Sequence, residues 1–142
     1  MKLAIGGDHA GYQYKEKLKK HLQDSGHEVL DFGPFTEDSA DYPDFVHPAA
    51  TSVETGEAQF GVLICGSGQG VTITANKHQG IRAALCWSTD LAEVTRQHND
   101  SNMICLAARF IAYELAERIV DTFLTTEFEG GRHQRRVDKI SC

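Results

Sequence analysis

Five short apolar runs punctuate the chain: Leu3-Ala4-Ile5, Val29-Leu30-Asp31-Phe32, Val62-Leu63-Ile64-Cys65, Ala83-Ala84-Leu85-Cys86-Trp87 and Met103-Ile104-Cys105-Leu106-Ala107. Most are continuous rather than alternating, the pattern of strands buried on both faces of a sheet. Between them apolar residues recur at helical spacing. Tyr14, Leu18 and Leu22 return every fourth residue among lysines, Val46, Ala49, Ala50 and Val53 fit i, i+3, i+4, i+7, and Ile111, Leu115, Ile119 and Phe123 repeat the theme. Gly26 follows the first stripe, Pro43 suits the first turn of the second, and Gly56 comes after it. Strand therefore alternates with helix throughout, which requires right-handed crossovers and predicts a parallel sheet covered on both faces. The expected fold is a three-layer α/β sandwich, Rossmann-like, with a five-stranded parallel sheet. No repeat, low-complexity tract or linker interrupts it, so residues 1–142 are expected to form one domain.

Composition agrees with one self-sufficient core. The chain has 142 residues, 41% hydrophobic and 24% charged, and a domain of this size removes about 70% of its unfolded surface from water without a metal or disulfide staple. The apolar runs are strand-sized, so neither a membrane span nor a signal peptide is expected, and the expected location is the reducing cytoplasm. Fourteen basic against twenty acidic residues give a net charge of −6, which argues against nucleic acid or an anionic membrane as a partner. One basic segment, Arg132-His133-Gln134-Arg135-Arg136, leaves room for a small anion. The four cysteines, Cys65, Cys86, Cys105 and Cys142, form no C-x-x-C pair, so no zinc framework or redox motif is indicated. Cys86 and Cys105 read as packing residues.

In an open parallel sheet, ligands gather at the carboxyl ends of the strands. The first run ends in Gly6-Gly7-Asp8-His9-Ala10-Gly11, the third in Cys65-Gly66-Ser67-Gly68-Gln69-Gly70, and the segment before the fifth carries His98-Asn99-Asp100. Asp8, His9, Cys65 and His98 are accordingly expected at one edge of the sheet. The glycine loop leads into a helix expected to start near Val71, so its N–H groups can converge on a negative oxygen, aided by the helix dipole. Its spacing lacks the third glycine of the dinucleotide fingerprint, and no lysine with serine or threonine follows as in a Walker loop. Cys65 immediately precedes the loop, where amides and a nearby imidazole make a thiol reactive; the plainer alternative is another packed thiol. Asp8-His9 alone reads equally as turn chemistry and His98 alone as a helix-end residue. Arg132 and Arg136, four apart, share a helix face and either grip a phosphate or form a solvated basic face.

Taken together, these strings resemble the sugar-phosphate isomerase family of type B ribose-5-phosphate isomerases, which also contains galactose-6-phosphate isomerase subunits. The resemblance runs end to end through Gly7-Asp8-His9-Ala10-Gly11, Asp41-Tyr42-Pro43, Cys65-Gly66-Ser67-Gly68-Gln69-Gly70, Ala75-Asn76-Lys77, Gly80-Ile81-Arg82-Ala83, Arg96-Gln97-His98-Asn99-Asp100, Ala108-Arg109 and Phe128-Glu129-Gly130-Gly131-Arg132-His133. It implies interconversion of D-ribose 5-phosphate and D-ribulose 5-phosphate through a cis-enediolate, with no metal or cofactor. It also implies that Cys65 is the base, that amides from Gly66 through Gly68 and Gln69 to Gly70 form the anion hole beside Ser67, and that His98 opens the furanose. Asp8 then moves protons between the oxygens, His9, Arg109, Arg132 and Arg136 hold the phosphate, and Asn99 contacts a sugar hydroxyl. The resemblance further implies a homodimer, or a dimer of dimers, whose active site is shared between subunits. Some members carry a glutamate base at the position of Val71; here that residue is apolar and the cysteine is present. Arg135 is an extra basic residue with no role implied. The close alternative is isomerisation of another phosphorylated aldose, such as allose 6-phosphate, galactose 6-phosphate or a tetrose phosphate. A non-catalytic sugar-phosphate-binding module would leave Cys65, His98 and Asp8 without purpose.

Overall fold

The structure, a computed structural model, describes residues 1–142. Five strands carry the chain through the core: β1 (Lys2–Gly7), β2 (Glu28–Asp31), β3 (Phe60–Cys65), β4 (Ala83–Leu85) and β5 (Met103–Ala107). Six helices connect or follow them: α1 (Tyr12–Asp24), α2 (Tyr42–Glu54), α3 (Gln69–Ala75), α4 (Thr89–Asn99), α5 (Tyr113–Thr125) and α6 (Arg132–Val137). All strand pairs are parallel, in the order β2-β1-β3-β5-β4. This is the expected five-stranded Rossmann-like sandwich. No helix is long and apolar enough to cross a membrane.

Each strand feeds two cores, which explains the continuous apolar runs. Leu3, Ile5, Val62, Ile64, Ile104 and Leu106 point to one face, where Leu18 and Leu22 of α1 and Ile119 and Phe123 of α5 cover them. Ala4, Leu63, Cys65, Met103 and Cys105 point to the other, under Val46 and Ala50 of α2 and Val71 and Ala75 of α3. The alternation of period two thus sends the Cys65 side chain to the side on which α3 lies.

Two apolar runs extend past their strands. Trp87 lies beyond β4 and is 60% exposed, so the fourth run outlasts the strand by two residues, of which Cys86 is buried. α3 begins at Gln69, two residues before Val71. Asp31, inside the second run, is explained by Lys15 of α1, which is fully buried and places Nζ 2.9 and 2.8 Å from the two Asp31 oxygens.

The chain leaves β1 for β2 on one side and returns to place β3 on the other. The switch point of the sheet therefore falls between β1 and β3, where a crevice opens beyond their carboxyl ends. The two ends approach closely: a Cβ on Gly7 or Gly11 would fall on the Ile64 carbonyl oxygen, and the Asp8 amide donates to that oxygen at 3.2 Å. Only glycine permits this contact, so the turn after β1 and the loop after β3 form a single rim.

Candidate active site

On that rim, Asp8 caps the short turn His9–Gly11 by accepting from the Gly11 amide at 3.0 Å. His9 accepts from the Ala40 amide through Nδ1 at 3.1 Å, so its neutral ring carries the proton on Nε2. Across the crevice Cys65 is 4% exposed, and its Sγ accepts a hydrogen bond from the Gly68 amide at 3.1 Å. The loop that supplies this amide turns on Gly68, whose φ of 73° lies in the left-handed region. It is tied down from two sides. Thr72 Oγ1 donates to the Gly68 carbonyl at 2.6 Å, and the Gly66 carbonyl accepts from the Arg109 amide at 3.0 Å, which brings Arg109 alongside.

The amides of the loop divide into two sets. Gly68 donates to the sulfur and Gln69 to Ser67 Oγ at 3.3 Å, while those of Gly66, Ser67 and Gly70 have no protein acceptor. An anion bound here would meet three free N–H groups at the start of α3, not the five that the loop's length offers. Asp8, His9, Cys65, Ser67 and Arg109 line one cleft of about 560 Å³, a size suited to a small ligand.

His98 and Asn99 are elsewhere, which corrects the expectation of a single edge. β5 pairs with β3 in parallel, with Gly61 opposite Met103 and Cys65 opposite Ala107, and the Gly61 amide donates to the Asn102 carbonyl at 3.0 Å. The segment before β5 therefore lies at the amino edge of the sheet. From Gly61 to Cys65 the strand alone spans about 13 Å. Residues preceding a parallel strand cannot join those following its neighbour, and the sequence reading overlooked this.

At the amino edge a second cleft, of about 520 Å³, is lined by His98, Asn99, Arg132, His133 and Arg136. It shares no residue with the first. Arg132 and Arg136 both lie on α6, spaced i, i+4 as expected. His98 stacks on His133 with ring centroids 4.2 Å apart and planes within 11°. Glu129 Oε2 lies 3.5 Å from His133 Nε2 and 4.0 Å from His98 Nε2. Partial burial, then the charges of His98 and Arg132, push the His133 imidazole below its ordinary pKa. The predicted phosphate-holding residues are likewise divided, His9 and Arg109 in the first cleft, Arg132 and Arg136 in the second.

The sequence model of the Ribose/Galactose Isomerase family matches residues 3–140. The chain belongs to this family. It is 44% identical over 141 residues to ribose-5-phosphate isomerase B of Escherichia coli, covering 99% of this chain and 95% of that one. Among solved structures, the ribose 5-phosphate isomerase of Thermotoga maritima superposes with a TM-score of 0.97 at 50% identity, covering 99% of this chain and 97% of that one. The Mycoplasma genitalium ribose-5-phosphate isomerase B with bound ribulose-5-phosphate gives 0.94 at 42%, covering 98% and 93%.

For a member of the ribose/galactose isomerase family, four residues at the two clefts gain importance that sequence reasoning did not give them. The Tyr42 ring lies against Gly70, where a Cβ would sit 2.6 Å from the ring, and so closes one wall of the first cleft. Phe110, 76% exposed, stands on the rim beside Arg109. Glu129 and His133 lie beside His98. The available signal for Phe110 is a large aromatic directly after the predicted site residue Arg109; Tyr42 adjoins no predicted site residue, and for Glu129 and His133 no local pattern indicates proximity to His98.

Proposed function

We propose that this chain interconverts D-ribose 5-phosphate and D-ribulose 5-phosphate, with the two clefts of one site supplied by two copies. The observation that carries the reading is the Cys65 sulfur beneath the glycine loop, 3.1 Å from the Gly68 amide and beside three amides free to receive an oxyanion. Cys65 removes the proton from C2 of the open aldose and returns it to C1. The amides of Gly66, Ser67 and Gly70 stabilise the enediolate oxygen. Asp8, on the same rim, moves the proton from the C2 oxygen to the C1 oxygen. Aldose and ketose are isomers, so atoms and electrons balance with acid–base groups alone.

The closed furanose must open first, and His98 is assigned that task. In one chain it is at the wrong edge of the sheet for it. A second copy that seats its amino-edge cleft against the first copy's carboxyl-edge cleft brings His98, Asn99, Arg132 and Arg136 of one to Cys65, Asp8, His9 and Arg109 of the other. Ile73 and Phe110, both largely exposed on the rim of the first cleft, support its being covered. A two-fold pair would complete two sites at once. Guanidinium groups far from the reacting carbons then fix the phosphate, so binding energy positions C1 and C2.

Proton NMR in heavy water, with chelator-treated protein and ribose 5-phosphate, tests the reaction directly. Conversion with deuterium entering C1 of the ketose is expected. Binding without exchange would instead indicate a sugar-phosphate sensor. Comparing kcat/KM with allose 6-phosphate, galactose 6-phosphate and a tetrose phosphate decides the chain length served.

A further inference from the structure

Resting on the reading of His98 as the ring-opening group, we propose that His133 is a positioning residue: its imidazole is the platform on which the His98 ring is held in the orientation that opens the sugar. His98 is the more exposed of the two rings; it stacks on His133, places Nε2 4.0 Å from Glu129 Oε2, and makes no side-chain hydrogen bond. A half-exposed ring at a helix end otherwise exchanges rotamers freely. His133 is only 8% exposed and fixed by its backbone. It is the second residue of α6, which starts directly after the positive-φ pair Gly130 and Gly131, with φ of 65° and 55°, and its amide donates to the Gly130 carbonyl at 3.0 Å. The same segment is tied to the helix bearing His98, because the Glu129 amide donates to the Gln97 carbonyl at 3.1 Å. The carboxylate of Glu129 faces Nε2 of both rings.

The cluster of two histidines and a glutamate is not arranged to chelate a cation. Rings stacked within 11° of parallel direct their in-plane lone pairs side by side, not toward a common point, and the same cleft holds Arg132 and Arg136. Stacking is the geometry of a support.

The two substrates separate ring opening from proton abstraction. Ribulose 5-phosphate carries its phosphate on the oxygen that would close a furanose onto C2, so it stays open, whereas ribose 5-phosphate must be opened. His133→Ala is therefore expected to lower kcat from ribose 5-phosphate about tenfold, while deuterium exchange at C1 of ribulose 5-phosphate stays within about twofold of the unaltered protein. His133→Phe, which keeps a flat ring, is expected to recover most forward turnover. Unchanged forward kcat in His133→Ala, an equal loss of exchange and turnover, or a Phe variant as impaired as the Ala variant would each overturn the platform. His98→Asn is the control. A split in His98→Asn with none in His133→Ala overturns the platform alone, and no split in His98→Asn overturns the ring-opening reading beneath it.

Discussion

The Gly68 amide and the Cys65 sulfur, 3.1 Å apart, are linked by a loop that reverses at Gly68 itself, the one left-handed residue between β3 and α3. The donor that holds the sulfur and the conformation that aims the donor therefore reside in the same residue. Gly68 also has no room. A Cβ there would meet the Leu85 side chain and stand 3.1 Å from the Leu106 carbonyl. Gly68→Ala is expected to cost about 2–4 kcal/mol, combining left-handed strain with overpacking. Because the strain relaxes by moving the loop, turnover should fall about 10²-fold or more. Urea unfolding and steady-state assay of one preparation measure both, and native turnover in this variant would separate loop geometry from catalysis.

The proposed sharing of one site between the two clefts of two copies predicts complementation. Cys65→Ala removes the proposed base from the first cleft and is expected to lose about 10²–10⁴-fold in kcat. Arg132→Ala combined with Arg136→Ala disables only the second cleft. Co-refolded in equal amounts, the two inactive proteins should regain up to about a quarter of native activity, since half of randomly formed pairs hold one intact site. A mixture no more active than its parts would show that each chain works alone.

The fold was legible because each strand buries both faces and each helix one, so the continuous runs and the i, i+4 stripes announced themselves. The first cleft was legible for a related reason: Asp8 and the Cys65–Gly70 loop follow strands, and the carboxyl ends of β1 and β3 adjoin the switch point. What was lost is polarity. His98 precedes β5, and reading it onto the Cys65 edge ignored that parallel strands present all their beginnings to one side. The His98–His133 stack joins residues from α4 and α6 through a glycine turn that gives no periodic signal, so proximity there had to come from coordinates. The Lys15–Asp31 pair was hidden because a lysine in a helical stripe reads as its solvated face, whereas this one is buried.

Thiol chemistry should sort the four cysteines. Burial pushes Cys86 and Cys105 up to about 12, so neither offers a thiolate near neutral pH, and Cys142 is exposed near the chain end. Brief iodoacetamide treatment at pH 8 is expected to label Cys142 first and to spare Cys86 and Cys105 until the protein unfolds. Cys142→Ser should leave turnover unchanged, so that inactivation in this background tracks modification of Cys65 alone, read by peptide mass spectrometry. Early labelling of Cys105 would contradict the packing of β5.

Asp31 should make the native state sensitive to acid. Burial raises its pKa, but hydrogen bonds from Lys15, Lys19 and the Gly33 amide outweigh that and hold it below the usual carboxylate value. A carboxylate depressed in the folded state adds stability that is fully present above its unfolded pKa, about 3.9, and is lost as pH falls through the folded value. The same group reaches the site: the Gly33 amide donates to Asp31 at 2.9 Å, and the Gly33 carbonyl accepts from Gly7, next to Asp8, at 3.0 Å. Lys15→Met leaves Asp31 without its buried partner but still paired with Lys19 and the Gly33 amide, and is expected to cost about 1–3 kcal/mol at pH 7. The deficit should narrow toward pH 3, where protonation of Asp31 removes the charge that Lys15 served. Urea unfolding of both proteins across that range measures it. A deficit unchanged with pH would mean that Lys15 contributes by packing against Tyr12 and Phe35, not by pairing with Asp31.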